Sequence, residues 1–173
     1  MQIVTDIRRS DLVRLNLYFL FRSRANWLMA VIVALASFAY AVYTAVETTR
    51  NAPVYIALYA IGAVLLGIGS MLFEFIAVIP VVLMSATGKS GVLGRHVYTI
   101  GPDGLHESTD VNEGLHKWSG VHAVGRSADL IVVRINGYLF HVFPRRSFGS
   151  EQEFESCWEM IRRCFNHARR QAG

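Results

Sequence analysis

The chain has 173 residues, 53% of them hydrophobic, 17% charged and 12% aromatic, with 17 Lys and Arg against 13 Asp and Glu and a mean hydropathy of +0.33. That is too apolar for an ordinary soluble domain and too charged for a chain lying wholly in lipid, so a mixed protein is expected, part membrane and part globular. The excess of +4 is unevenly placed, and residues 89–173, with eleven Lys and Arg against nine acids and no aromatics interleaved among the charges, do not indicate nucleic acid.

Residues 1–26 carry five arginines (Arg8, Arg9, Arg14, Arg22, Arg24) against Asp6 and Asp11, and form a basic segment. Residues 2–5 read as a short strand. Ser10 or Asp11 then caps a helix whose apolar residues Leu12, Val13, Leu15, Tyr18 and Phe19 recur at helical spacing. Two placements stay open for this helix: the headgroup region, or the cytosolic start of the first membrane helix.

Residues 27–46 contain no charge and match the roughly 20 helical residues that a hydrocarbon core of about 30 Å requires. Residues 47–53 are a short extracytoplasmic connector, and residues 54–84 form a second span with a cytosolic extension. The arginines before Trp27 place that end in the cytosol by the positive-inside rule, and two spans return the C-terminal part to the same side. A cleaved signal is disfavoured, because the apolar run continues past the small-x-small sequence at Ala39-Tyr40-Ala41. The small residues Ser37, Ala41 and Ala45, and Ala63 with Gly67, mark close helix approach, either within the hairpin or between two copies. Glu74 falls about 20 residues into the second span and reads as interfacial; its alternative is a protonatable intramembrane group.

Residues 85–94 are a small-residue linker. Its Gly88-Lys89-Ser90 is not a phosphate-binding loop, since Leu83 stands where that motif needs its first glycine. From residue 95 the period changes to two, with strands expected at 96–100, 105–109, 114–118, 121–126, 130–135 and 138–143 and a tight turn at Asn136-Gly137. Ser150-Glu151-Gln152-Glu153 is a capping box opening a last helix. Its apolar stripe of Phe154, Trp158, Ile161, Phe165 and Ala168, with Cys157 and Cys164, covers one face of the sheet. The fold class is therefore α+β: a two-helix transmembrane hairpin, then a small antiparallel sheet capped by one C-terminal helix.

Gly104-Leu105, Trp118-Ser119-Gly120-Val121 and Phe143-Pro144-Arg145-Arg146-Ser147-Phe148 resemble the pattern of the YcxB-like family of bacterial membrane proteins. The resemblance covers about residues 98–164 and implies a domain similar to a pleckstrin-homology (PH) barrel over residues 95–173. It also implies a bacterial inner (plasma) membrane for this multi-pass chain with cytoplasmic termini. It implies no reaction.

No His-x-x-x-His or Cys-x-x-Cys pair, Gly-x-Ser-x-Gly or His-Glu-x-x-His occurs, so no metal, cofactor or enzymatic activity is expected; His106 and His116 could at most face each other across strands. Arg145 and Arg146, before the helix start at Ser150, are the candidate anion site, with Lys117 and Arg126 on the same rim. The expected function is a membrane-anchored, non-catalytic module whose PH-like domain engages an anionic membrane lipid or a protein partner, with homo-oligomerisation through the small-residue faces a further option. The alternative is a small transport or channel-associated subunit using Glu74.

Overall fold

A computed structural model describes residues 1–48, 52–85, 91–137 and 139–171. Residues 49–51 of the connector, residues 86–90 of the linker with Gly88-Lys89-Ser90, and Tyr138 of the last expected strand lie outside the described residues, as do residues 172–173. The chain forms two compact units, Met1–Leu15 with Val82–Gly173, and Asn16–Val81.

Helix α1 (Arg9–Arg22) begins in the first unit and ends in the second. Its cap is not Ser10 or Asp11: the helix opens at Arg9, and Asp11 reaches back to accept the Arg8 amide at 2.7 Å. The expected start fell two residues late because Asp11 does its capping from inside the first turn. At Ser23 the chain breaks step, with the Ser23 hydroxyl accepting the Asn26 amide, and α2 (Arg24–Thr48) starts as a separate helix.

Helices α2 and α3 (Ala52–Ser85) are long and apolar enough to cross a membrane, with windows at Arg24–Ala45 and Val54–Pro80 of mean hydropathy 2.0 and 2.2. Only 11% and 17% of those windows is buried within the chain. A soluble core helix hides its apolar side chains; these display Leu35, Leu65 and Phe73. The two helices run further into the connector than the sequence suggested, taking in Glu47, Thr48, Ala52 and Pro53. Proline fits there because a helix's first turn needs no amide hydrogen. The small-residue face of α3 closes the hairpin: a Cβ at Gly67 would stand 2.6 Å from the Ala30 carbonyl oxygen and 3.1 Å from the Ala34 methyl. Glu74 is an exposed residue of α3.

Among the described residues, the globular unit holds seven strands in two antiparallel sheets. Strands β1 (Gln2–Ile7), β2 (Gly94–Ile100), β3 (Gly104–Thr109) and β4 (Glu113–Lys117) lie in that order in one sheet. Strands β5 (Ala123–Arg126), β6 (Leu130–Arg134) and β7 (Phe140–Pro144) form the other. The expected strands are all present with ends moved by one or two residues: β2 and β3 start earlier, β4 and β7 are shifted, and β5 and β6 are shorter. The main departure is β1, which pairs with β2 from Gln2↔Thr99 to Ile7↔Gly94. The basic N-terminal segment is thus no separate interfacial element through its first third, and residues 95–173 are not the whole globular unit. Strands before and after the helical pair hydrogen-bond to each other, so the chain leaves and re-enters a single folded unit.

Alternation along the first sheet turns Ile3, Tyr98, Ile100 and Leu105 inward, where they meet Ile131, Val133 and Phe143 of the second. Helix α4 (Glu151–Gln171) closes this core with Phe154, Cys157, Ile161 and Phe165, while Trp158, Cys164 and Ala168 are only partly buried at its margin. Its capping box is formed, Ser150 Oγ accepting the Glu153 amide at 3.2 Å, although the Glu153 carboxylate takes the Gly149 amide instead of that of Ser150. Trp118, in a short 3-10 turn after β4, is the deeply buried tryptophan and donates its indole hydrogen to the Gly101 carbonyl at 2.8 Å.

Candidate functional site

The four basic residues singled out in the sequence separate into three places. Arg126 and Arg145 lie together over the ring of buried Phe154, 5.2 and 5.9 Å from its centroid, and both pair with acids of the first turns of α4. Arg126 grips Glu155 with both terminal nitrogens, and Arg145 pairs with Glu151. The helix start that would attract an anion is therefore already supplied with carboxylates. Lys117 ends β4 as an exposed residue opposite Gly104, in the other sheet.

Arg146 turns the other way. Its Nη1 and Nη2 donate to the two carboxylate oxygens of Asp11 at 2.6 and 2.7 Å, and Nη2 also donates to the Asp6 carbonyl at 2.5 Å. Beside it, Thr5 and Ser147 join hydroxyls. These contacts form one wall of an open cavity of about 500 Å³ lined by Val4, Thr5, Asp6, Arg8, Arg95, Arg146 and Ser147. Arg95 stands directly across from Asp6 in the β1–β2 ladder, and Arg8 donates to the Asp6 carboxylate at 3.3 Å. Three guanidinium groups thus line the cavity, Arg8 paired with the Asp6 carboxylate and Arg146 with that of Asp11. Neither Arg8 nor Arg95 was chosen from the sequence, because only the long-range pairing of residues 2–7 with 94–99 places them beside Arg146. The period-two strand reading of residues 2–5 was the one local sign that this segment joins a sheet.

A second polar group lies inside the unit. The inward row of the first sheet includes His96, Tyr98 and Glu107, and His116 comes from β4 and His141 from β7 of the facing sheet. One oxygen of Glu107, Oε1, is 2.9 Å from His96 Nδ1, 2.9 Å from the Tyr98 hydroxyl and 3.2 Å from His141 Nδ1. The His116 and His141 rings are 4.7 Å apart between centroids. Burial alone would raise the Glu107 pKa, yet the hydrogen bonds from His141 and His96, the charge of His141 and the Tyr98 hydroxyl together hold the carboxyl well below its usual range. Burial, reinforced by Glu107, pushes the Tyr98 hydroxyl upward. His116 is lowered by burial and by His141, with Glu107 opposing. Glu107, His116 and His141 each bring one potential ligand atom within 4.8 Å of the others.

His106 and His116 do not face each other, because His106 lies opposite Leu115 and His116 opposite Leu105. A one-residue difference in register sends them to opposite faces, and His106 pairs outside with Glu113 at 3.0 Å. The cluster was missed because its members are spread over three strands of one sheet and one of the other, with Glu107 and His141 34 residues apart along the chain. Polar residues at inward positions of otherwise apolar strands, as in His96-Val97-Tyr98-Thr99-Ile100, were the available signal.

Known proteins add one match. Residues 100–156 match the model of the family described as YcxB-like protein. The YcxB-like stretch runs from the end of β2 into the first turns of α4, and so carries Glu107, His116, Trp118, His141, Arg145 and Arg146. The resemblance read from the sequence motifs holds over that length. Arg8, Arg95 and His96 lie outside it. No curated protein and no solved structure matches the chain.

Proposed function

We propose that this YcxB-like chain is a membrane-anchored, non-catalytic binding module of the bacterial inner membrane, with both termini in the cytosol and a PH-like unit that engages phosphorylated anionic headgroups. The observation that carries this reading is the cavity lined by Arg8, Arg95 and Arg146 together with Asp6. Guanidinium groups bind phosphate oxygens two at a time, and with Arg146 paired to Asp11 the lining still holds Arg8 and Arg95 against the one carboxylate of Asp6. Arg146 is fixed by Asp11, so it orients the wall while Arg8 and Arg95, both exposed, supply the adjustable contacts. Two apolar helices joined to the same unit keep such headgroups at high local concentration.

The test uses the full chain in neutral detergent micelles doped with either phosphatidylglycerol or phosphatidylcholine. The anionic lipid should raise Tm and the neutral one should not, with the difference fading toward 1 M salt, where the screening length is about 3 Å. Arg8→Glu with Arg95→Glu should abolish the upshift. An equal upshift in that double variant would assign lipid binding to the membrane helices and leave a protein partner as the ligand of the unit.

A further inference from the structure

We propose that Glu107, His116 and His141 form a binding site for a divalent transition-metal ion, best suited to zinc. The three come from β3, β4 and β7, so both sheets contribute, and their ligand atoms lie within 4.8 Å of one another. Two imidazoles and one carboxylate are a borderline nitrogen and oxygen donor set, which zinc accepts in tetrahedral geometry with a fourth position left to water or a ligand. Ligands about 2.0–2.2 Å from a tetrahedral ion stand roughly 3.3 Å from each other. The site closes by side-chain rotations of that difference at most, and His116, only half-buried, is the residue with freedom to supply them.

The orphaned nitrogens of the cluster point the same way. His96 Nε2 and His141 Nε2 are buried without a hydrogen-bond partner among the described residues, on side chains 5% and 2% exposed. Each such atom costs its desolvation, and a polar group buried in this way is one that packing alone does not account for. Glu107 Oε1 and His141 Nδ1 stand 3.2 Å apart, the separation of two ligands on one tetrahedral ion, so the ion takes the place of the hydrogen bond between them, with His141 neutral, its proton on Nε2 and its Nδ1 lone pair turned to the metal. His96 and Tyr98 complete the arrangement from outside, donating to the same Glu107 oxygen and fixing the carboxylate as an anion that faces the ion. This inference is independent of the arginine cavity, which shares no residue with it.

His106 provides an internal control, since it belongs to the same strand as Glu107 but faces outward. The experiment takes the untagged full chain in detergent, strips it with a chelator, and measures Zn²⁺ by equilibrium dialysis and Co²⁺ by visible absorption. One ion per chain is expected, with the intense visible bands of tetrahedral cobalt and a higher Tm when zinc is present. His116→Ala should weaken zinc binding about 100-fold or more and remove both the bands and the Tm rise; His106→Ala should change none of them. His141→Ala also empties core volume, so the half-exposed His116 is the deciding position. Wild-type protein that gives no tetrahedral cobalt spectrum overturns the proposal. So does a His106→Ala variant that loses zinc as fully as His116→Ala, because the binding would then be to surface histidines.

Discussion

Arg146 and Asp11, 135 residues apart in sequence, form a two-pronged ion pair in which the carboxylate is fully buried and the guanidinium is 31% exposed. The pair ties the start of α1 to the corner between β7 and α4. Asp11 also holds the Arg8 amide, so its charge serves a helix cap and a long-range clamp together. Removing the guanidinium strands a buried carboxylate, which typically costs about 3–5 kcal/mol, whereas removing both charges costs less. Arg146→Ala should therefore lower the Tm of the full chain more than Arg146→Met combined with Asp11→Asn. Thermal unfolding followed by near-ultraviolet circular dichroism checks this, and equal losses would show that the pair is no more than a surface contact.

Strand β1 supplies Ile3 to the core and pairs with β2 along six residue positions. A fragment of residues 91–173 leaves β2 with an unpaired edge and the core without Ile3, Thr5 and Ile7. Unpaired, partly apolar edges favour aggregation over folding. Such a fragment is expected to be aggregated or poorly structured. Residues 1–15 joined to 91–173 by a flexible linker in place of the helical pair should instead be soluble and unfold cooperatively. Amide exchange in β2 distinguishes the two, since its outward-facing amides are protected only if β1 is bound.

Local rules were enough for much of the architecture. The absence of charge in residues 27–46, the switch to period two after residue 95 and the stripe on α4 each depend on neighbours a few positions apart, and each led to the right element. What escaped them was pairing across the helical insertion. Nothing in Gln2 to Ile7 says that its partner begins at Gly94, and so the clamp on Asp11, the arginine cavity and the true extent of the globular unit were all out of reach. Arg145 and Arg146 illustrate the same limit at one site. Adjacent in sequence and chosen together, they diverge to Glu151 and to Asp11, because a 3-10 turn over Arg145–Ser147 points successive side chains in different directions.

The pairing of β1 with β2 puts both strands on one side of any membrane the two helices cross, and the proposed orientation, argued from the arginines before Trp27, makes that side the cytosol. Native Cys157 is fully buried and Cys164 partly so, with burial raising both thiols, so neither reacts readily in the folded protein. Introduced cysteines can then be read against a quiet background. A membrane-impermeant maleimide added to intact cells should label Asn51→Cys and leave Ser150→Cys unlabelled until the membrane is opened. Labelling of Ser150→Cys from outside would reverse the orientation.

The same burial makes stability fall at alkaline pH. Desolvation pushes the Cys157 thiol up to about 12 in the folded state, against about 8.5 for a free cysteine. A group whose folded pKa is raised gives stability that is complete below the unfolded value and is lost as pH rises toward the folded one. The unfolded chain releases its proton from about pH 8.5 upward, while the folded chain keeps it, so each further pH unit costs about 1.4 kcal/mol. Cys157→Ala removes this titration while adding a pH-independent cost for the smaller side chain. Between about pH 7.5 and 9.5, below the ordinary tyrosine range, the Tm of the wild type should fall more steeply than that of Cys157→Ala, so that the gap between them narrows with rising pH. Parallel curves would mean that the thiol finds solvent or a stabilising partner once ionised, and that the contact between α4 and the sheet is looser than its buried face of Phe154, Cys157, Ile161 and Phe165 requires.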